Sequence, residues 1–131
     1  MQPLLIALVL ACVATSASAQ QKPGVFFFEP KDGATVGQEF RVVMRVRGMQ
    51  VKAAGEMAPN SGHHHLLIDS GPVKKGEVIP ADLRHLHFGK GQTETKVKLA
   101  PGTHKLQLQF ADGAHRSYGP AMRKTITVTV K

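Results

Sequence analysis

The sequence predicts an all-β protein, an immunoglobulin-like antiparallel β-sandwich of about seven strands. Three observations carry this. Apolar and polar residues alternate with period two along most of residues 20–131, as they do in half-buried strands. Apolar spacing of helical period is nowhere sustained. Turn dipeptides and tripeptides, "DG", "SGP" and "PG" among them, cut the alternating stretches into short lengths.

The first strand is read in "GVFFFEP", Gly24 to Pro30, and the turn after it in Asp32-Gly33. "EFRVVMRVRG" follows, with Phe40, Val42, Met44 and Val46 on one face and Arg41, Val43, Arg45 and Arg47 on the other. A loop from Met49 to Gly62 leads into "HHHLLID", the third strand, which "SGP" at Ser70 ends. "EVIPADLRHLHFG", Glu77 to Gly89, gives a fourth, limited by Pro80 to an edge or a strand start because proline has no N–H for a ladder. "TETKVKLA" is the fifth and "THKLQLQFAD" the sixth, the latter with His104, Leu106, Leu108 and Phe110 on one face. "KTITVTV" is the seventh, with Ile126, Val128 and Val130 facing inward.

Residues 1–19 read as a signal peptide. They are apolar from Pro3 to Val13, then small and polar, and end in the Ala17-Ser18-Ala19 pattern of a cleavage site. Residues 20–131 are then expected as one exported domain, periplasmic or secreted, with no second apolar run long enough to span a bilayer. A rival reading takes "VLAC", Val9 to Cys12, as a lipoprotein box. Cys12 is the sole cysteine, so the cleaved chain has no disulfide, no thiolate zinc site and no blue-copper centre. All charged side chains follow residue 19, and the formal net charge of +8 suits anionic envelope polymers or lipid headgroups. Nucleic acid is not expected, since an exported chain with six Phe, one Tyr and no Trp has few stacking partners.

"GHHHLLID", Gly62 to Asp69, places three histidines mid-chain, where no purification tag sits. If the strands run up and down, His63 to His65, His85, His87 and His115 fall at one end of the sandwich and His104 at the other. Met49, Met57 and Met122 fall at the histidine end. Alternation turns His63 and His65 to one face and His64 to the other, beside Leu66 and Ile68, where a buried histidine satisfied by backbone is expected. His63, His65, His85, His87 and His115 are therefore the candidate metal ligands. Imidazole suits copper, zinc, nickel or iron, and thioether sulfur would favour copper(I). Asp69, Asp82 and Asp112 are candidate acceptors for ring N–H groups. "HFGKGQT" lacks phosphate-loop spacing, but its glycines allow a tight turn or close ligand approach, and Lys90 and Gln92 are candidate donors to a ligand or cofactor. Ser61 and Ser70 flank the histidines without a nucleophile elbow.

"GHHHLLID", "IPADLRHLHFGKGQTETKVKL" and "PGTHKLQLQFADGAH", in this order, resemble a bacterial family of exported domains of unknown function. The resemblance runs from "EPKDGATV" to "ITVTV" and implies a periplasmic, sandwich-like domain whose histidines invite a metal reading, with no settled activity. It maps onto His63, His64, His65, His85, His87, Gly89, Lys90, Gly91, Gln92, His104 and His115. Relatives often carry one more histidine shortly after the position of His115, where this chain has Ser117 and Tyr118. "EPKDGATV" also resembles the start of periplasmic copper-carrier sandwiches, although Gln20 stands where those have a histidine.

The expected function is noncatalytic metal binding, with copper or zinc as the ion. The alternative is a binding module for anionic envelope material or a small ligand, using Arg41, Arg45, Arg47, Lys96 and Lys98 on neighbouring strands. A metal-dependent enzyme is the third reading.

Overall fold

A computed structural model describes residues 21–131 and, apart from them, Ala14. The expected signal segment, with Cys12, otherwise lies outside the described residues. Among the described residues there are nine strands: β1 (Gly24–Glu29), β2 (Thr35–Val36), β3 (Glu39–Arg47), β4 (Gln50–Val51), β5 (Ser61–Ile68), β6 (His85–His87), β7 (Glu94–Lys98), β8 (Gly102–Ala111) and β9 (Arg123–Val130). These described residues are all-β, with one 3-10 turn at Pro120–Met122. No helix of the described residues is long and apolar enough to cross a membrane.

The strands form two sheets, one ordered β1-β3-β7 and the other β2-β9-β8-β5-β4 with β6 paired to β5. Most pairs are antiparallel, but β2 runs parallel to β9 and β4 parallel to β5, so the larger sheet is mixed. One apolar core draws on both sheets: Val25, Phe27, Phe40, Val42, Met44 and Val97 from the smaller, and Leu66, Ile68, Leu106, Leu108, Phe110, Ile126, Val128 and Val130 from the larger. These are period-two positions of each strand, and alternation assigned those of β3, β5, β8 and β9 to the inward face.

The strand β5 departs from the usual half-buried pattern, because all eight of its residues are buried. Its His64, Leu66 and Ile68 side meets the main core. Its other side is covered by a second cluster in which Leu67 packs with Val73, Ile79 and Ala111. The covering segment is tied down by backbone bonds: Ile79 N–H to His115 O at 2.9 Å, Gly76 N–H to Ser117 O at 2.8 Å and Ser117 N–H to Glu77 O at 2.9 Å.

Two expectations are corrected here. The count of strands rises from seven to nine through the short pieces β2 and β4. The fourth strand, expected over Glu77 to Gly89, shrinks to His85–His87. Pro80 offers no N–H, and Asp82 Oδ1 accepts from Arg84 N–H at 2.8 Å, which curls the chain into a turn just before β6.

On the outward side of the smaller sheet Arg41 stands opposite Lys96, in register with the β3–β7 pairing expected of a basic face. That face is not purely basic, because Arg41 forms an ion pair with Glu94. Lys31 and Arg45 each lie 5.2 Å from the Phe28 ring centre, and Arg47 lies 5.6 Å from that of Phe26.

Candidate metal centre

Register builds the site. His65 is directly opposite His87 across the β5–β6 pair, and Leu67 is opposite His85. Residues directly opposite share a face, so His63, His65 and His87 project from the outer side of the larger sheet, away from the main core. His115 arrives from the turn that follows β8. Asp112 shapes that turn, its Oδ1 accepting from Ala114 N–H at 2.8 Å and Arg116 N–H at 3.0 Å. His115 itself sits at φ 64°, a left-handed conformation uncommon for a residue with a side chain and found where surrounding structure enforces it.

One ligating atom from each of His63, His65, His87 and His115 lies within 4.8 Å of all the others. His65 Nε2 is 3.0 Å from His63 Nε2, and His63 Nε2 is 3.1 Å from His115 Nδ1. The His87 and His115 ring centres are 4.6 Å apart. An imidazole nitrogen presents one in-plane position, holding a proton or a lone pair. His63 Nε2 therefore makes one good hydrogen bond at most, yet it faces two nitrogens. A cation that accepts a lone pair from each ring removes the conflict. Nitrogens about 2.0–2.1 Å from a tetrahedral zinc stand about 3.3 Å from one another, close to the two short separations here.

Electrostatics prepares the same lone pairs. Burial pushes His63 down to about 4, helped by repulsion from His87 and His115. Burial, then repulsion from His63, His87 and His115, takes His65 down to about 3. His87 is lowered by burial and by His115. At neutral pH these three rings are uncharged, so a metal would displace no proton from them. The Nδ1 atoms of His63 and His65 are buried without a partner, so packing rather than an outer hydrogen bond holds these two rings.

Three ligand candidates, His65, His87 and His115, line a pocket of ≈ 380 Å³ whose remaining wall is Val78, Ile79, Pro80 and Ala81. Glycine makes room at its edge. A Cβ on Gly89 would stand 2.3 Å from His87 Cε1 and 2.6 Å from its Nε2. The sequence singled out Gly89 for close approach and Asp112 as an acceptor for a ring N–H, but Asp112 accepts from backbone N–H groups instead. The Val78–Ala81 wall was not foreseen, since it acts through tertiary approach.

The structure brings four of the five candidate histidines together and leaves His85 out. His85 lies two residues along β6, where its Nδ1–H donates to Asp82 Oδ1 at 2.7 Å and its Nε2 accepts from the Ser70 hydroxyl at 3.1 Å. Lys90 and Gln92 do not line the histidine pocket. Gln92 instead closes its own turn, accepting from Lys90 N–H at 2.8 Å. The methionines are also elsewhere. Met122 is in the main core, Met49 packs on it, and Met57 is exposed.

His64 faces the core as expected, edge-on to Phe110 at 5.1 Å, but neither of its nitrogens has the backbone partner expected. His104 sits at the far end of β8, donating to Asp69 Oδ2 at 2.6 Å and to Ala100 O at 2.8 Å. Both its nitrogens thus donate, and the Asp69 bond followed by the Ala100 bond raises its pKa. Asp69 and Asp82 do accept from histidines, though from His104 and His85 rather than from the cluster.

Residues 42–131 match the model of a family described as domain of unknown function DUF4399. Neither a search of curated proteins nor one of solved structures returns a match.

Proposed function

This chain belongs to the DUF4399 family, and we propose that it is a noncatalytic metal-binding domain whose centre is His63, His65, His87 and His115. The observation that carries the reading is the convergence of four imidazole nitrogens within 4.8 Å. The ion is copper or zinc, both well served by neutral imidazole. With Met49 and Met122 packed at the core, the copper(I) argument from thioethers loses its support, and copper(II) and zinc are the forms to test. Export to the periplasm or medium remains our reading of residues 1–19. We also read the two sheets around one core as an immunoglobulin-like sandwich, supported by the β1-β3-β7 order and by the β5, β8 and β9 neighbours.

Calorimetric titration of tag-free protein with zinc and copper(II) tests the centre. One equivalent is expected to bind, and His63→Ala/His65→Ala is expected to weaken it by about 100-fold or more. Undiminished stoichiometric binding by that double variant overturns the assignment.

A second reading is favoured by the exposed face of the smaller sheet, where Arg45, Lys31 and Arg47 crowd the Phe26 and Phe28 rings beside Arg41 and Lys96. Such a face suits an anionic envelope polymer, with retention falling as salt is added. Retention on an anionic glycan column that is absent, or indifferent to salt, removes it.

A further inference from the structure

The four histidines are not equally accessible, and the asymmetry says which side of a bound ion meets solvent. His63 is fully buried and takes no part in the pocket lining, whereas His65, His87 and His115 all border it. An ion held by the four would have His63 at its back and the pocket in front. The opposite wall is Val78, Ile79, Pro80 and Ala81, with no charged or hydrogen-bonding side chain. Its volume of ≈ 380 Å³ lies within the range of small-molecule sites, about 300–1,000 Å³.

The wall is also built to stay. Ile79 is buried in the second cluster with Leu67, Val73 and Ala111. Its N–H donates to the carbonyl of His115, a ligand candidate, and Val78 bridges to Arg116. Wall and ligand residue are therefore fastened to each other, and the pocket is formed in advance.

Resting on the metal reading above, we propose that this pocket binds a second, exogenous ligand: a compact, largely apolar molecule that reaches the ion through one neutral nitrogen or oxygen donor. Copper(II), which favours tetragonal sites, accepts a fifth donor beside four imidazoles, whereas zinc would have to expand from its tetrahedral set to five-coordinate. With no Lys, Arg, Asp or Glu in the lining, the pocket discriminates by apolar area.

Cobalt(II)-loaded, tag-free protein, whose visible bands report coordination, tests this with imidazole and 4-phenylimidazole as probes. Both are expected to change the bands, with 4-phenylimidazole binding about tenfold more tightly because its ring covers the wall. Ala81→Phe, at an exposed wall position, is expected to keep one cobalt per chain and the native melting profile while erasing the tenfold preference. Bands unchanged by either probe, with cobalt bound, would show a closed centre and overturn the inference while leaving the metal reading intact. Equal affinity for the two probes, or a preference that survives Ala81→Phe, also overturns it. Protein that takes up no cobalt, zinc or copper removes the metal reading, and this inference with it.

Discussion

Single residues decide which imidazoles meet. Alternation separated His63 and His65 from His64, and the structure keeps that separation. Alternation could not tell His85 from His87, because both share a face and differ only in distance along the strand. Gly89 supplies the clearest local test. Gly89→Ala places a methyl against the His87 ring, so the ring must swing away, and metal affinity is expected to fall by about 10–100-fold in a calorimetric titration. Unaltered affinity would show that His87 is dispensable. His64 invites the opposite experiment. It is buried in apolar surroundings with both nitrogens unpartnered, a condition that costs about 1–3 kcal/mol. His64→Leu is thus expected to raise stability to urea by about 1–2 kcal/mol while leaving metal stoichiometry unchanged. A loss of stability would mean that the ring has a hydrogen-bond role not visible in its contacts.

Among elements, the strands with strict alternation were legible and the irregular ones were not. Strands β3, β8 and β9 bury the apolar residues that alternation turned inward, although Val43 of β3, assigned to the outward face, is buried as well, as are Gln107 and Gln109 of β8. The stretch from Glu77 to Arg84 reads as strand in composition, yet its apolar Val78 and Ile79 serve as a cover over β5, held by bonds to residues 115 and 117. Tertiary packing overrode the local pattern there. The methionines misled for a related reason, since closeness to a loop end in sequence says nothing about which layer a flexible side chain fills. His85 belongs to this scale, because it ties β6 to the turns at Ser70 and Asp82. His85→Ala is expected to cost about 1 kcal/mol in thermal or urea unfolding and to leave one metal equivalent bound. Loss of the metal would return His85 to the ligand set.

For the whole molecule, the buried imidazoles set a pH dependence. His63 and His64 are held at about 4 and His65 at about 3, against an ordinary value of 6.5. The unfolded chain therefore takes up protons at these sites before the folded chain does. Their contribution to stability is complete above about pH 6.5 and is lost as pH falls from there toward 3, at up to about 1.4 kcal/mol per pH unit for each extra proton bound on unfolding. His104 works the other way, since its raised pKa gives a contribution present below 6.5 and lost as pH rises through the folded value. It is a single, partly exposed pair with Asp69, so the three buried rings dominate. Urea unfolding of metal-free protein at pH 7.5, 6 and 5 is expected to show a falling midpoint, and a flat or rising one would contradict the burial of the cluster.

The complete burial of β5 carries one more consequence. A strand shifted by a single residue exchanges its two faces. In β5 that shift would drive His63 and His65 into the core and turn Leu66 and Ile68 toward His87 and His115. An ion held from three directions, by β5, by β6 and by the turn after β8, would tolerate no such shift. Metal and apolar core would then act as two witnesses to the same alignment, one on each side of the strand, and the ion would proofread the sheet as well as occupy it.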